Sequence, residues 1–243
     1  MTSLPSTLTL AVVNPNSSDV ITKALEKNLT ASQQDPNLRL TFHTGPPTSP
    51  PSINNPIDAV LSATHTFSLL LRTTTTPSPD AYLICCFSNH PLAGMLRHEF
   101  PRTPCMHILE AAVLHALPLG TRFGVITTGA DAVSDIDRGV RDVLGANSYR
   151  YIGTLSTGLG VVELQTGDPA KVQAVLKEHA AKLANMGADA IILGCAGMTG
   201  MEDVVRQGAQ SALQPGKQVA VIDGAKAGVQ LLSGLARCNY YGA

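Results

Sequence analysis

The chain has 243 residues, 44% of them hydrophobic and 14% charged, with Lys+Arg 17 set against Asp+Glu 18. This composition excludes a disordered chain, and the balanced charge removes any electrostatic case for nucleic acid or an anionic membrane, so a small molecule is the expected partner. No stretch reaches the roughly 18 apolar residues of a membrane span, and Met1–Thr9 lacks the basic and apolar regions of a leader, so a soluble, cytoplasmic protein is expected, with a homo-oligomer compatible.

Apolar runs bounded by turn residues alternate with segments of helical period, the pattern of an α/β protein with mainly parallel sheets. A strand is predicted near Leu8–Val13, then a helix near Asp19–Leu29 capped by Ser17 or Ser18, with Val20, Ala24 and Leu25 on its buried face. A strand over Leu38–His43 leads to the Pro-rich loop Gly45–Pro51, whose missing amide donors argue against regular structure and which could lie over a pocket. A helix near Ile57–Arg72, the connection Thr73–Pro79, a strand ending at Cys86, a helix near Pro91–Phe100 and a short strand around Cys105–Ile108 complete this half.

The same grammar then repeats. A strand near Phe123–Thr127 precedes a helix near Ala132–Leu144 that stops at Gly145, and a strand near Tyr149–Leu155 follows. Asp168-Pro169 opens a helix burying Val172, Leu176, Leu183 and Met186, which Gly187 ends. The strand Ala190–Cys195, a helix capped by Thr199 and running to about Leu213, a strand over Val219–Ile222 and a helix over Ala225–Arg237 close the chain.

Two segments carry the case for duplication. Pro79-Asp80-Ala81-Tyr82-Leu83-Ile84-Cys85-Cys86 and Ala188-Asp189-Ala190-Ile191-Ile192-Leu193-Gly194-Cys195 each run from an Asp-Ala pair through an apolar strand to a cysteine, with Cys86 and Cys195 109 positions apart. Ala11 and Gly124, in the first strands of the two halves, lie 113 apart, a compatible offset. The expected architecture is therefore two similar α/β/α domains related by a pseudo-twofold axis. Residues 1–117 with 224–243 form the first and 118–223 the second, and a cleft between them faces the strand carboxyl ends.

A single cysteine is most often an inert core thiol, but matched thiols at two strand ends are candidates for paired acid–base groups, and nearby helix amino termini are expected to lower their pKa. Cys85, one residue earlier on its strand, should point to the opposite face and serve packing. Five cysteines, an odd number, indicate free thiols in a reducing compartment. Asn14-Pro15-Asn16-Ser17-Ser18 reads both as a strand–turn–cap and as a clamp for a carbonyl or carboxylate. Thr127-Thr128-Gly129 occupies the matching turn, and Ser88 and Asn89 offer a third set of donors. His90 invites a Cys–His dyad, but beside Pro91 it reads better as a helix-start residue, since no histidine follows Cys195. No metal is expected, because the histidines show no ligand spacing, and no dinucleotide or P-loop motif implies a cofactor.

Asn14-Pro15-Asn16-Ser17-Ser18, Cys86-Phe87 and Gly194-Cys195-Ala196-Gly197-Met198, in that order, resemble the aspartate/glutamate/hydantoin racemase superfamily, most of all its hydantoin and allantoin racemases. The resemblance implies two α/β domains with pseudo-twofold symmetry, a cleft between them and no cofactor. By position, Cys86 and Cys195 match its catalytic cysteines, and the turns at Asn14, Phe87-Ser88, Thr127-Thr128 and Ala196-Gly197 match its holders of substrate carbonyl oxygens. One departure is visible: hydantoin racemases commonly read Cys-Phe-Gly-Asp-Pro, whereas this chain has Cys86-Phe87-Ser88-Asn89-His90-Pro91, so the carboxylate is gone and the turn is longer. The expected chemistry is cofactor-independent racemisation or epimerisation next to a carbonyl, on a hydantoin-type cyclic ureide. A decarboxylase or cis–trans isomerase of the same superfamily, or a non-catalytic ligand-binding relative, is the alternative.

Overall fold

The computed structural model describes residues 7–73 and 78–241. Most of the Thr73–Pro79 connection and the first six residues lie outside them. Chain order is β1 (Leu8–Asn14), α1 (Asp19–Ser32), β2 (Leu38–Thr44), α2 (Pro56–Thr73), β3 (Ala81–Ile84), α3 (Pro91–Glu99), β4 (Cys105–His107) and α4 (Ile108–Leu119). It continues with β5 (Phe123–Thr127), α5 (Val133–Leu144), β6 (Tyr151–Ser156), α6 (Glu163–Thr166), α7 (Pro169–Asn185), β7 (Ala190–Leu193), α8 (Glu202–Gln210), β8 (Ala220–Asp223) and α9 (Gly224–Cys238).

These elements build two four-stranded parallel sheets with one strand order, β2-β1-β3-β4 and β6-β5-β7-β8. The registers repeat as well: Val13 pairs with Ile84 where β1 meets β3, and Ile126 pairs with Leu193 where β5 meets β7. These pairs sit at the two offsets found in the sequence, so the duplication extends to the hydrogen-bond ladder. Strands β1, β3, β5 and β7 are central and covered on both faces, which is why they read as continuous apolar runs rather than alternating ones.

The helices between strands follow the amphipathic rule, with one shift of face. In α1 the buried stripe is Ile21, Leu25 and Leu29, together with Thr22, while the expected Val20 is 41% exposed. Spacing by four residues carries a stripe along one side, and Val20 lies about 100° off it. Ser18 stands at the N-cap position without a side-chain bond; Asn16 Oδ1 instead takes the Ser18 amide at 2.9 Å. Asp168 caps α7 as expected through Ala170, but Met186 falls just past its end and is largely exposed.

Thr199 does not cap α8. A short 3-10 turn, Ala196–Met198, follows Cys195 directly, α8 starts only at Glu202, and the Thr199 hydroxyl donates to Asp223 Oδ2 at 2.7 Å.

Helix α4 was not anticipated. Ile108, Leu109, Ala111, Ala112, Val113 and Ala116 are all buried, so the helix is apolar nearly all round and shows no 3.6-residue stripe to find. It packs on β7, β8 and α5 of the second half, while α9 packs on β1, β3 and β4 of the first. The two helices also pack against each other, and each half thus ends in a helix that covers the other half's sheet. Both start the same way: His107 Nδ1 accepts the Glu110 amide at 3.1 Å, and Asp223 Oδ1 accepts the Ala225 amide at 2.8 Å. A Cβ at Gly224 would stand 2.5 Å from the Ile108 carbonyl oxygen, so the two crossovers touch where only glycine fits. No helix among the described residues is long and apolar enough to cross a membrane.

Candidate active site

Strands β1, β3, β5 and β7 all run in one direction within their sheets, so the turns that follow them gather at the carboxyl ends, where open α/β sheets present their ligand sites. There a single cleft with a cavity volume of about 90 Å³ is lined by Cys86 and Cys195 together. Phe87, Ser88, Thr127, Thr128 and Ala196 line it too, so five of the eight expected binding positions meet at the thiols.

Asn14, Asn89 and Gly197 do not line it. Asn14 is fully buried, its amide nitrogen donating to Asn16 Oδ1 (2.8 Å), the Ser18 carbonyl (3.1 Å) and Thr22 Oγ1 (3.1 Å). It shapes the turn, and its neighbour Asn16 reaches the cleft instead. Asn89 is exposed and donates to Asp142 Oδ2 of α5 at 3.2 Å. Gly197 contributes a backbone amide, which points at the Cys195 sulfur at 3.3 Å.

Both thiols lie just beyond their strands, since β3 ends at Ile84 and β7 at Leu193. The alternation of a pleated strand therefore no longer governs Cys85, which lines the cleft beside Cys86 as well as packing into the core, contrary to the expectation of packing alone. Gly194 places its successor: a Cβ there would meet Val125 Cγ1 at 2.5 Å and the Ile126 carbonyl oxygen at 2.7 Å. Its amide donates to that Ile126 oxygen at 2.7 Å, and its carbonyl receives the Thr127 hydroxyl at 3.0 Å. The Thr127 hydroxyl hydrogen is thus spent on the framework. Thr128 is held by its backbone, whose carbonyl accepts from Gly158 N and Ser156 Oγ, while its side chain hydrogen-bonds the Cys195 thiol.

Burial decides the acidity of the thiols. It pushes Cys86 up to about 11, against a lowering hydrogen bond from Ser88 Oγ at 3.2 Å. Burial likewise pushes Cys195 up to about 12, although the Gly197 amide opposes it, and a charge on Cys86 would raise Cys195 further. The expected lowering by helix amino termini is overturned: α3 begins only at Pro91, and the turn after Cys195 is too short for its amides to outweigh desolvation. The Cys86 sulfur lies near enough that its charge raises the Cys195 thiol further.

His90 is 1% exposed, takes the Leu92 amide on Nδ1 at 3.4 Å and bonds Ser62 Oγ through Nε2 at 3.0 Å. Burial drives its pKa down to about 4. It is a neutral helix-start residue outside the cleft lining, so no Cys–His dyad forms.

The remaining wall was not read from the sequence. Ile53, Asn54, Asn55 and Ala59 lead into and open α2, and Ala132, Asp135, Ile136 and Val161 come from the second half. The Pro-rich loop before Ile53 clamps the Asn14–Asn16 turn instead of covering the cleft: Gly45 N donates to the Asn14 and Asn16 carbonyls, and Ser17 N donates to the Pro50 carbonyl. The lining has no Lys, Arg or His, and Asp135 is its one carboxylate.

The fold is thus a doubled parallel α/β unit that brings a thiol from each half into one small cleft. The chain belongs to the Asp/Glu/Hydantoin racemase family, whose model matches residues 10–232. It is thereby an isomerase of the racemase type. It is 37% identical over 96% of its length to an uncharacterized protein of Schizosaccharomyces pombe, covering 93% of that protein. It is 30% identical to a hydantoin racemase of Rhizobium meliloti, over 94% of this chain and 89% of that one. The crystal structure of allantoin racemase from Pseudomonas fluorescens superposes with a TM-score of 0.81 at 25% identity, covering 95% of this chain and 92% of the other.

Proposed function

We propose that this protein racemises a hydantoin-type cyclic ureide, a 5-substituted hydantoin or allantoin, by a two-cysteine mechanism that calls on no cofactor. The observation that carries the reading is the shared cleft: both thiols, Cys86 and Cys195, stand on its wall among mostly neutral groups, with one carboxylate, Asp135, and no cationic side chain. Dicarboxylic substrates would leave their charges unpaired there, at a cost that a neutral ring with carbonyl and N–H groups avoids. The relatives named for hydantoin and allantoin racemisation support the same substrate class.

In the proposed step one cysteine, as thiolate, removes the proton from the carbon next to the ring carbonyl, and the electron pair moves to the carbonyl oxygen as an enolate. The other cysteine, as neutral thiol, protonates the opposite face. Each turnover exchanges the two protonation states. With both thiols held above their ordinary range by burial, the singly ionised pair is a minority species at neutral pH, and the doubly ionised pair is excluded. The Asn16 amide nitrogen, which donates to no protein acceptor among the described residues, is the donor available to the enolate oxygen or a ring carbonyl, the Ser88 and Thr128 hydroxyls being engaged with the two sulfurs. Five free cysteines and no disulfide fit a reducing, cytoplasmic setting.

Incubating one enantiomer of a hydantoin with the protein in deuterium oxide tests this directly. Optical rotation decays to zero while deuterium enters at the chiral carbon. Unchanged rotation across a panel of chiral hydantoins and allantoin overturns the assignment.

A further inference from the structure

Asp135 stands apart from the rest of the cleft wall as its only ionic side chain other than the thiols. It lies in the first turn of α5, next to Ile136, which also faces the cleft, and its side chain is 26% exposed. Its Oδ1 accepts from Arg138 Nη2 at 2.6 Å, with the Arg138 side chain 63% exposed, and Oδ2 has no donor among the described residues. Helix α5 is also tied to the first thiol's turn. Asn89 donates to Asp142 on that helix, and a Cβ at Gly139 would come within 3.5 Å of the Asn89 amide nitrogen. The carboxylate is thereby held in a fixed relation to Cys86, one oxygen spoken for by a solvent-facing arginine and the other open.

We propose that Asp135 is a specificity-determining residue, selecting cyclic ureides whose side arm ends in an N–H donor, a ureido or a cationic amine or guanidine, over arms that end in a carboxylate. This rests on the racemase reading of the same cleft. An N–H group on the substrate completes the open oxygen of Asp135, and a positive charge gains Coulomb attraction in a site with no competing cation on its wall. A carboxylate arm meets like charge at the open oxygen, which the solvent-facing Arg138 offsets only in part. The exposed Arg138 partner yields at small cost, because surface ion pairs contribute little. The carboxylate missing from the Cys86 turn is thus supplied to the same cleft from the other half of the chain.

The test measures kcat/KM by polarimetry on single enantiomers of four hydantoins with 4-aminobutyl, ureido, isobutyl and carboxymethyl arms. For the native protein the aminobutyl and ureido arms are expected to outrun the carboxymethyl arm by about tenfold or more, with the aminobutyl preference shrinking as salt is raised. Asp135→Asn, which keeps the side-chain shape, should lower the aminobutyl-to-carboxymethyl ratio by about tenfold. Asp135→Lys should invert it, and Arg138→Ala should raise it. A ratio unmoved by both Asp135 variants overturns the inference while leaving racemisation standing. A native protein that racemises none of the four overturns the proposed function, and this inference falls with it.

Discussion

The strands leading to the two thiols are closely alike in sequence, whereas the turns that follow them differ. Cys195 leads straight into a 3-10 turn, so its sulfur receives the Gly197 backbone amide at 3.3 Å, a donor that cannot rotate away. Cys86 is followed by four residues before α3 begins, and its partner is a hydroxyl, Ser88 Oγ at 3.2 Å. Yet both sulfurs are pushed well above the ordinary thiol range, Cys195 to about 12 and Cys86 to about 11. Desolvation outweighs hydrogen bonds here, and a neighbouring thiol adds to it on the Cys195 side. The contrast continues into the frames of the two halves. Neutral histidines hold the starts of α3 and α4, whereas a carboxyl, Asp223, holds the start of α9.

The sharpest way to break this comparison is to remove each sulfur in turn. Cys86→Ser and Cys195→Ser should each reduce racemisation by about a thousandfold, because a hydroxyl is a far poorer base and one acid–base partner typically supplies a factor of 10² to 10⁴. Near-normal turnover in either variant removes the two-base scheme.

Acid should act next, through the buried helix-start residues. Burial lowers His90 to about 4 and His107 to about 3, so both are neutral when folded and take up protons on unfolding below about pH 6.5. The unfolded state binds more protons in that window. Stability attributable to each is therefore complete above pH 6.5 and falls by about 1.4 kcal/mol per pH unit as pH drops toward the folded value. Asp223, raised by burial, works in the opposite sense, since its folded form holds a proton more readily than the unfolded chain does. Urea titrations between pH 7 and 5 should show the loss, and His90→Gln should flatten the slope by about one histidine's share.

The smallest effect probes the rotating donor. Ser88→Ala takes the hydroxyl partner from the Cys86 sulfur and should slow turnover by about tenfold or less, the scale of one ordinary hydrogen bond. Its alkaline limb should shift upward, read from a kcat/KM profile. Thr128→Ala should shift less, because the Gly197 amide remains on Cys195.

Most of this architecture could be read before the structure, because β1, β3, β5 and β7 announce themselves as buried apolar runs and the two cysteine segments align by eye. The exceptions have physical causes of their own. Helix α4 hides its period because exposed positions such as Leu114 and Leu119 are as apolar as the buried ones. Thr199 had the look of a cap, but the buried Asp223 carboxyl claims its hydroxyl. Of the site, the thiols and the donors beside them were legible as motifs, whereas Asn54, Asn55 and Asp135 arrive from other segments of the fold and carry no local signal. Asn14 and Asn16 illustrate the limit: two asparagines in one turn, and only the bonding of the first to the second, to Ser18 and to Thr22 shows which of them is left to face the cleft.

The reciprocal placement of α4 and α9 has a consequence for cooperativity. Each half deposits its last helix on its neighbour, so a fragment ending at His107 would leave the α9-facing side of its sheet, with Leu10, Val12 and Leu83, bare to water. Neither half possesses a complete interior of its own. The duplicated chain is accordingly a single thermodynamic unit, melting in one transition, and the seam that joins its copies is as much interior as either sheet.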